Sequence, residues 1–133
     1  IMNTLQVEKK ILDHIKEGLY RVTHGENGTS ASTFKNYSPE VAGKTGTTEA
    51  FYSGPNPAYK NEAVENSTFI SYAPYDNPEI VVSVVAPYFK DGYPSDYAAK
   101  IAKKVYEAYF GKRSNSETNA ATVNTQVQQN NRQ

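Results

Sequence analysis

A chain of 133 residues, 38% of them hydrophobic and 12% aromatic, suits one small domain or part of a larger one. Lys+Arg 14 against Asp+Glu 14 leaves a net charge of +0, so the overall balance points to neither nucleic acid nor an anionic membrane as partner. There are no cysteines, which excludes a disulfide framework, a zinc-thiolate centre and a thiol nucleophile. No apolar run approaches the length of about 20 residues that spans a bilayer, and no signal peptide is visible. The chain opens on Ile1, and a helical pattern starts within a few residues. It is expected to be an internal or C-terminal piece of something longer, so missing targeting signals say nothing of the parent.

Residues 4–23 are predicted as an amphipathic helix. Val7, Ile11, Ile15, Leu19 and Val22 recur at spacings of three and four, with Leu12 beside them. Asn3 or Thr4 can cap its start. Gly18 costs about 1 kcal/mol relative to Ala and suggests a close helix contact. His24 to Ser30 is turn chemistry that ends the helix. His14 and His24 lack the i,i+4 metal spacing and any nearby second ligand, so surface or capping roles are expected for both.

Residues 31–40 read as a polar connector into a strand over about 40–49. Residues 50–62 read as a long Gly/Pro/Asn loop with three aromatics and no periodicity, the kind of loop that is often functional or disordered. Residues 67–74 form a second strand stopped by Pro74, and Tyr75 to Glu79 a turn. Ile80 to Pro87 is almost wholly apolar, so a central strand buried on both faces is predicted, in a hairpin with the strand before it. A second helix starts at Pro94-Ser95-Asp96, with an apolar stripe of Ala98, Ile101, Ala102, Val105, Ala108 and Tyr109, and Gly111 as C-cap. Residues 111–133 are rich in Asn, Gln, Ser and Thr and are expected to form a disordered polar tail. The fold class expected for 1–110 is α+β: one antiparallel three-strand sheet packed with an N-terminal and a C-terminal helix.

The predicted first strand carries the chemistry: Val41-Ala42-Gly43-Lys44-Thr45-Gly46-Thr47-Thr48-Glu49. It offers one ammonium, several hydroxyls and bare peptide N–H groups to an anionic or carbonyl-bearing guest. Gly43 and Gly46 remove side chains that would hold a ligand's backbone off the strand. The simpler reading makes Lys44 a solvated charge on an edge strand. A phosphate-binding P-loop fits poorly: its first glycine would fall at Ser38, and a strand-like run follows where a helix is needed.

Lys-Thr-Gly is also the third motif of penicillin-binding proteins and class A β-lactamases, beside Ser-x-x-Lys and Ser-Asp-Asn types. The other matching stretches are Gly18-Leu19-Tyr20-Arg21-Val22, Gly28-Thr29, Phe69-Ile70-Ser71-Tyr72-Ala73-Pro74, Asn77-Pro78-Glu79, the 80–87 strand and the last helix. With these flanks, residues 4–110 resemble the C-terminal part of the transpeptidase domain of a class B penicillin-binding protein. The fold would then be part of a larger serine β-lactamase/penicillin-binding-protein-like domain.

The resemblance implies a D,D-transpeptidase that crosslinks peptidoglycan. A serine attacks the D-Ala-D-Ala end of a stem peptide, D-alanine leaves, and a neighbouring strand's amine resolves the acyl-enzyme. β-Lactams acylate the same serine. It implies substrate binding by Lys44, Thr45, Gly46, Thr47 and Thr48. Lys44 is the carboxylate's counter-charge and shares a proton network with the serine of the second motif, and the Thr47 N–H is an oxyanion-hole donor. No metal and no cofactor are implied. The partners implied are the stem peptide, β-lactams and other cell-wall synthesis proteins, with no nucleic acid. The location implied is the outer face of the bacterial cytoplasmic membrane, through an anchor not in this chain.

The departures are specific. Among the serines only Ser32 is followed three places on by lysine, Lys35, and it falls in the polar connector rather than at a helix start, where such nucleophiles sit. This match is taken as coincidence. Ser-x-Asn is not placed either: Ser38-Pro39-Glu40, Ser114-Asn115 and Tyr75-Asp76-Asn77 do not fit. The chain alone is therefore expected to be inactive, with the Ser-x-x-Lys and Ser-x-Asn motifs upstream, in the same polypeptide or as a separate chain. Two other functions stay open: a β-lactam sensor or β-lactamase fragment on the same fold, and a non-catalytic extracellular binding module.

Overall fold

A computed structural model describes residues 6–89 and 96–111. The chain forms two compact units, 1–103 and 104–133. The expected caps Asn3 and Thr4, the helix start at Pro94-Ser95 and the tail beyond Gly111 lie outside the described residues.

Helix α1 spans Lys9–His24, starting later than the apolar spacing predicts; Glu8 stands at its N-cap without a side-chain cap bond. Lys9–Asp13 and Glu17–Arg21 pair one turn apart on its outer face. Only its C-terminal end is well anchored. The Thr23 hydroxyl donates to the Val41 carbonyl at 2.6 Å. Ile11, Leu12 and Ile15 remain about half exposed, at 51%, 46% and 52%. Among the described residues nothing stands within 4 Å of a Cβ built on Gly18, so no close helix contact is made there.

The connector is not wholly irregular. Ala31–Phe34 form a one-turn helix, α2, and bury Ala31, Thr33 and Phe34. A four-residue helix is too short to show periodicity, which is why the sequence pattern misses it.

Strands β1 (Ala42–Phe51), β2 (Ala63–Ala73) and β3 (Ile80–Phe89) form one antiparallel sheet in the order β1-β2-β3. The sheet is as expected, but the predicted place of β3 is not. β2 is the central strand, and Val81 and Val85 of β3 are 68% and 67% exposed. The apolar run of β3 reports what its side chains are, not how many faces are covered. Only its Val82 and Ala86 reach burial.

Register fixes the faces. Thr45 lies opposite Phe69, which lies opposite Val84, on the covered face. Lys44, Ile70 and Ser83 line up on the other face. The core of the first unit is Phe34, stacked on Phe69 at 5.7 Å between centroids, with Val41, Ala98, Ala99 and Ala102. Truncating such a Phe to Ala costs about 3–5 kcal/mol.

Residues 97–111 are helical (α3), and Gly111, expected to end the helix, is still part of it. The Ser67 hydroxyl accepts the Ala98 N–H at 3.3 Å, satisfying one otherwise unpaired donor of the first turn. Within the second unit, Lys104 pairs with Glu107 at 2.7 Å, and the rings of Tyr106 and Phe110 stack at 6.3 Å.

Candidate functional site

The predicted site residues all lie on β1, at the open edge of the sheet. Among the described residues no strand pairs with its outer side. An edge of unpaired N–H and C=O groups is a template for an extended peptide.

The side chains divide by strand alternation. Thr45 and Thr47 belong to the covered face, and Lys44, Gly46 and Thr48 to the other. They meet only at the edge. Lys44 is exposed, and its ammonium donates to the Thr45 carbonyl at 2.7 Å. The Thr45 hydroxyl lies 2.9 Å from the Thr29 hydroxyl, in the turn after α1. Thr47 is exposed, opposite Ser67. Thr48 is also exposed, and its hydroxyl accepts from the Asn66 amide at 3.5 Å.

The glycines act differently from expectation. A Cβ on Gly43 would stand 2.5 Å from the Phe69 ring and 2.8 Å from the Ile70 carbonyl oxygen. A Cβ on Gly46 would stand 2.5 Å from the Thr68 hydroxyl, which donates to the Gly46 carbonyl at 3.1 Å. The space each leaves is filled by β2, so both glycines serve the sheet before any ligand.

Two cavities open at Lys44, one on each side of the strand. The larger, about 600 Å³, is lined by Gly18, Arg21, Val22, the turn from Gly25 to Thr29, and Lys44. The smaller, about 300 Å³, has Lys44, Gly46, Thr68, Ile70, Ser83 and Val85 in its walls. The larger holds two cations, Lys44 and Arg21. Arg21 is paired with Glu17 at 2.5 Å, and Glu26 stands on the rim, so Lys44 is the cation without a carboxylate bond among the described residues.

Ser32 and Lys35 lie on α2 and at its C-cap, a helical turn rather than a connector. The Ser32 hydroxyl donates to Asp96 Oδ2 at 3.0 Å. Asp96 Oδ2 also accepts from Thr33 at 2.8 Å, and its Oδ1 pairs with Lys100 at 3.0 Å. Burial pushes the Asp96 carboxyl up; the bonds from Lys100, Thr33 and Ser32, with the Lys100 charge, outweigh it and hold the pKa below the ordinary value. His14 Nδ1 contacts the Lys10 carbonyl at 2.8 Å, and the His24 ring stacks on Tyr20 at 4.4 Å. Among the described residues no group of three or more His, Cys, Asp or Glu is disposed to hold a metal.

Sequence reasoning gives no site role to Thr29 or Arg21, and reads Asp96 only as part of a helix start. Gly28-Thr29 was visible as a matching turn, but the reach of its hydroxyl to Thr45 is a tertiary fact. Asp96 meets Ser32 and Thr33 across more than sixty positions, which no local pattern reports.

Residues 1–107 match the family described as "Penicillin binding protein transpeptidase domain". The chain is 33% identical over 112 residues to penicillin-binding protein 2A of Bacillus subtilis, covering 83% of this chain and 15% of that protein. It is 38% identical over 103 residues to the peptidoglycan D,D-transpeptidase MrdA of Haemophilus influenzae, covering 74% and 16%. Among solved structures, penicillin-binding protein 2B of Streptococcus pneumoniae superposes with a TM-score of 0.61 at 25% identity, over 81% of this chain and 17% of that one. PBP2 of Pseudomonas aeruginosa gives 0.62 at 24%, over 80% and 21%, a likeness of fold. The chain belongs to the penicillin-binding protein transpeptidase family, and spans about a sixth of the curated relatives it matches.

Proposed function

We propose that this chain is the carboxylate-binding and oxyanion-hole wall of a serine D,D-transpeptidase that crosslinks peptidoglycan stem peptides and is inhibited by β-lactams. The observation that carries the reading is the state of Lys44. It stands at an open strand edge, beside the Thr29–Thr45 hydroxyl pair, with only a backbone carbonyl as partner among the described residues. A guest carboxylate is a better partner for that ammonium than an amide oxygen, since it adds the attraction of a second full charge to a bond that already has a charged donor.

In this reading an extended stem peptide lies along the outer edge of β1. Its terminal carboxylate takes the Lys44 ammonium and the hydroxyls of Thr45 and Thr47. Gly46 and Thr48 complete the strip against which its backbone runs. The Thr47 N–H is one of two donors to the oxyanion; the other is the N–H of the nucleophile. Lys44 also passes protons with the serine of a Ser-x-Asn motif. That motif, the nucleophile and its lysine base are supplied by an upstream segment, in the same polypeptide or as a separate chain. Ser32 is not that nucleophile: its hydroxyl is spent on the carboxylate of Asp96. The protein acts on the outer face of the cytoplasmic membrane, held by an anchor elsewhere, alongside other cell-wall synthesis proteins.

Fluorescent penicillin tests this. The isolated chain is expected to stay unlabelled, and the same chain co-folded with the upstream segment to be labelled on a serine of that segment. Labelling of the isolated chain at Ser32 contradicts the proposal.

A further inference from the structure

A second concave site lies at the far end of the β1–β2 hairpin. Tyr52, Asn56, Tyr59, Val64 and Tyr88 line a cavity of about 270 Å³. The rings of Tyr52 and Tyr88 meet edge to face at 4.8 Å and 62°, those of Tyr52 and Tyr59 at 5.9 Å and 78°. Among the described residues no charged side chain lines the cavity.

The arrangement is built rather than incidental. β3 bulges opposite Asn66, with the register slipping between Glu65 and Ser67. A bulge re-aims a side chain. Here it coincides with Tyr88 at φ 66, a conformation that L side chains rarely adopt. The Tyr88 N–H is held by Asn66 Oδ1 at 3.1 Å, and its hydroxyl lies 3.1 Å from that of Ser53. The Tyr52 hydroxyl accepts the Asn56 N–H at 3.2 Å. Gly54 clears room for the Tyr52 ring, since a Cβ there would stand 2.5 Å from it. Tyr59 and Tyr88 nevertheless remain 42% and 40% exposed.

Three phenols, with no charge among the described lining residues, suit a neutral guest with an apolar face and a polar rim. A pyranose ring is such a guest: its C–H face stacks on an aromatic ring, and its hydroxyls reach the Tyr and Asn groups around it. The cavity has room for one sugar. Tyr52 follows the end of the same strand as Thr47, about 17 Å further on at about 3.4 Å per residue. We infer that the Tyr52–Tyr59–Tyr88 cradle binds a hexosamine ring of a glycan chain. The choice of glycan rests on the proposed function, in which the stem peptide on β1 hangs from such a chain.

The test uses the full-length protein that carries this chain, with chitotetraose as probe and titration by NMR. Binding is expected, with affinity falling about tenfold or more in Tyr59→Ala. Gly54→Ala, which displaces the Tyr52 ring but deletes no aromatic, is expected to fall similarly. Penicillin acylation should be unchanged in both. No binding, or equal binding by wild type and both variants, overturns the inference. So does a site that takes tetramethylammonium in preference to the sugar, since that marks a cation cage. A wild type that binds chitotetraose but is never acylated by penicillin sinks the transpeptidase reading and leaves the cradle standing. The reverse result sinks the cradle alone.

Discussion

Two clusters in this chain are made of the same parts. Around Asp96 stand the Ser32 and Thr33 hydroxyls and the Lys100 ammonium. At the edge of β1 stand the Thr29 and Thr45 hydroxyls and the Lys44 ammonium. The first contains its own anion, and Asp96 is buried. The second contains none among the described residues, and its ammonium rests on a backbone carbonyl. The first shows how two hydroxyls and a lysine hold a carboxylate inside this molecule. The second has an ammonium and the Thr45 hydroxyl, which Thr29 bonds, open to a cleft and short of an anion among the described residues. A closed cluster contributes to stability; in the proposed function the open one serves binding.

That contrast separates the effects of substitution, all read in the full-length protein. The largest is expected at Thr47→Pro, which removes one N–H. Loss of an oxyanion donor costs about a hundred- to a thousandfold in rate. Proline is tolerated where an edge strand's N–H faces outward, so the thermal midpoint should hardly move. A collapsed midpoint would instead place that N–H in the sheet.

Next is Lys44→Ala. Removing a charged hydrogen-bond partner is worth roughly ten- to a hundredfold in acylation rate, again with little change in unfolding. Asp96→Ala should do the reverse. Unfolding experiments should show a loss of about 2 kcal/mol, because Ser32 and Thr33 lose their acceptor, while Lys100 is exposed enough to turn to water. The acylation rate per folded molecule should stay near wild type. If Asp96→Ala spares stability but cuts acylation, the two clusters have been assigned the wrong way round.

Smaller effects sharpen the contrast. Thr29→Val leaves the Thr45 hydroxyl unoriented and should slow acylation roughly two- to tenfold, with Thr29→Ser restoring most of it. Thr29 touches no substrate in this reading, so a rescue that fails would show a packing role instead.

The acid limb of stability should belong to Asp96. Its folded pKa is depressed, so its contribution is complete above the unfolded value of about 3.9 and is lost as pH falls through the folded value. Wild type should therefore lose its advantage over Asp96→Asn only below about pH 4. An advantage that persists unchanged into stronger acid would mean the carboxylate is not what holds α2 to α3.

Much of the architecture was legible because it is local. The 3.6-residue spacing from Ile11 to Val22 marks α1, and the Pro74-to-Glu79 turn between two β-rich runs marks the β2–β3 hairpin. Lys44 to Thr48 stood out through Lys-Thr-Gly and its flanks. What was not legible depends on distant partners. The run from Ile80 to Pro87 reads as doubly buried, yet it lies at the sheet edge with Val81 and Val85 exposed. Gly43 and Gly46 look like space for a ligand, yet Phe69 and Thr68 occupy it. The Thr29–Thr45 pair and the Asp96 cluster join residues 16 and more than sixty positions apart, so composition and periodicity carry no trace of them.

The central claim is that Lys44 answers a carboxylate supplied by the guest. The most direct measurement is acylation of the full-length wild type and of Lys44→Ala by a penicillin and by its carboxyl methyl ester. Wild type should prefer the free acid by roughly ten- to a hundredfold, and Lys44→Ala should show almost no preference. If the substitution slows both compounds equally and the preference survives, the carboxylate is held elsewhere.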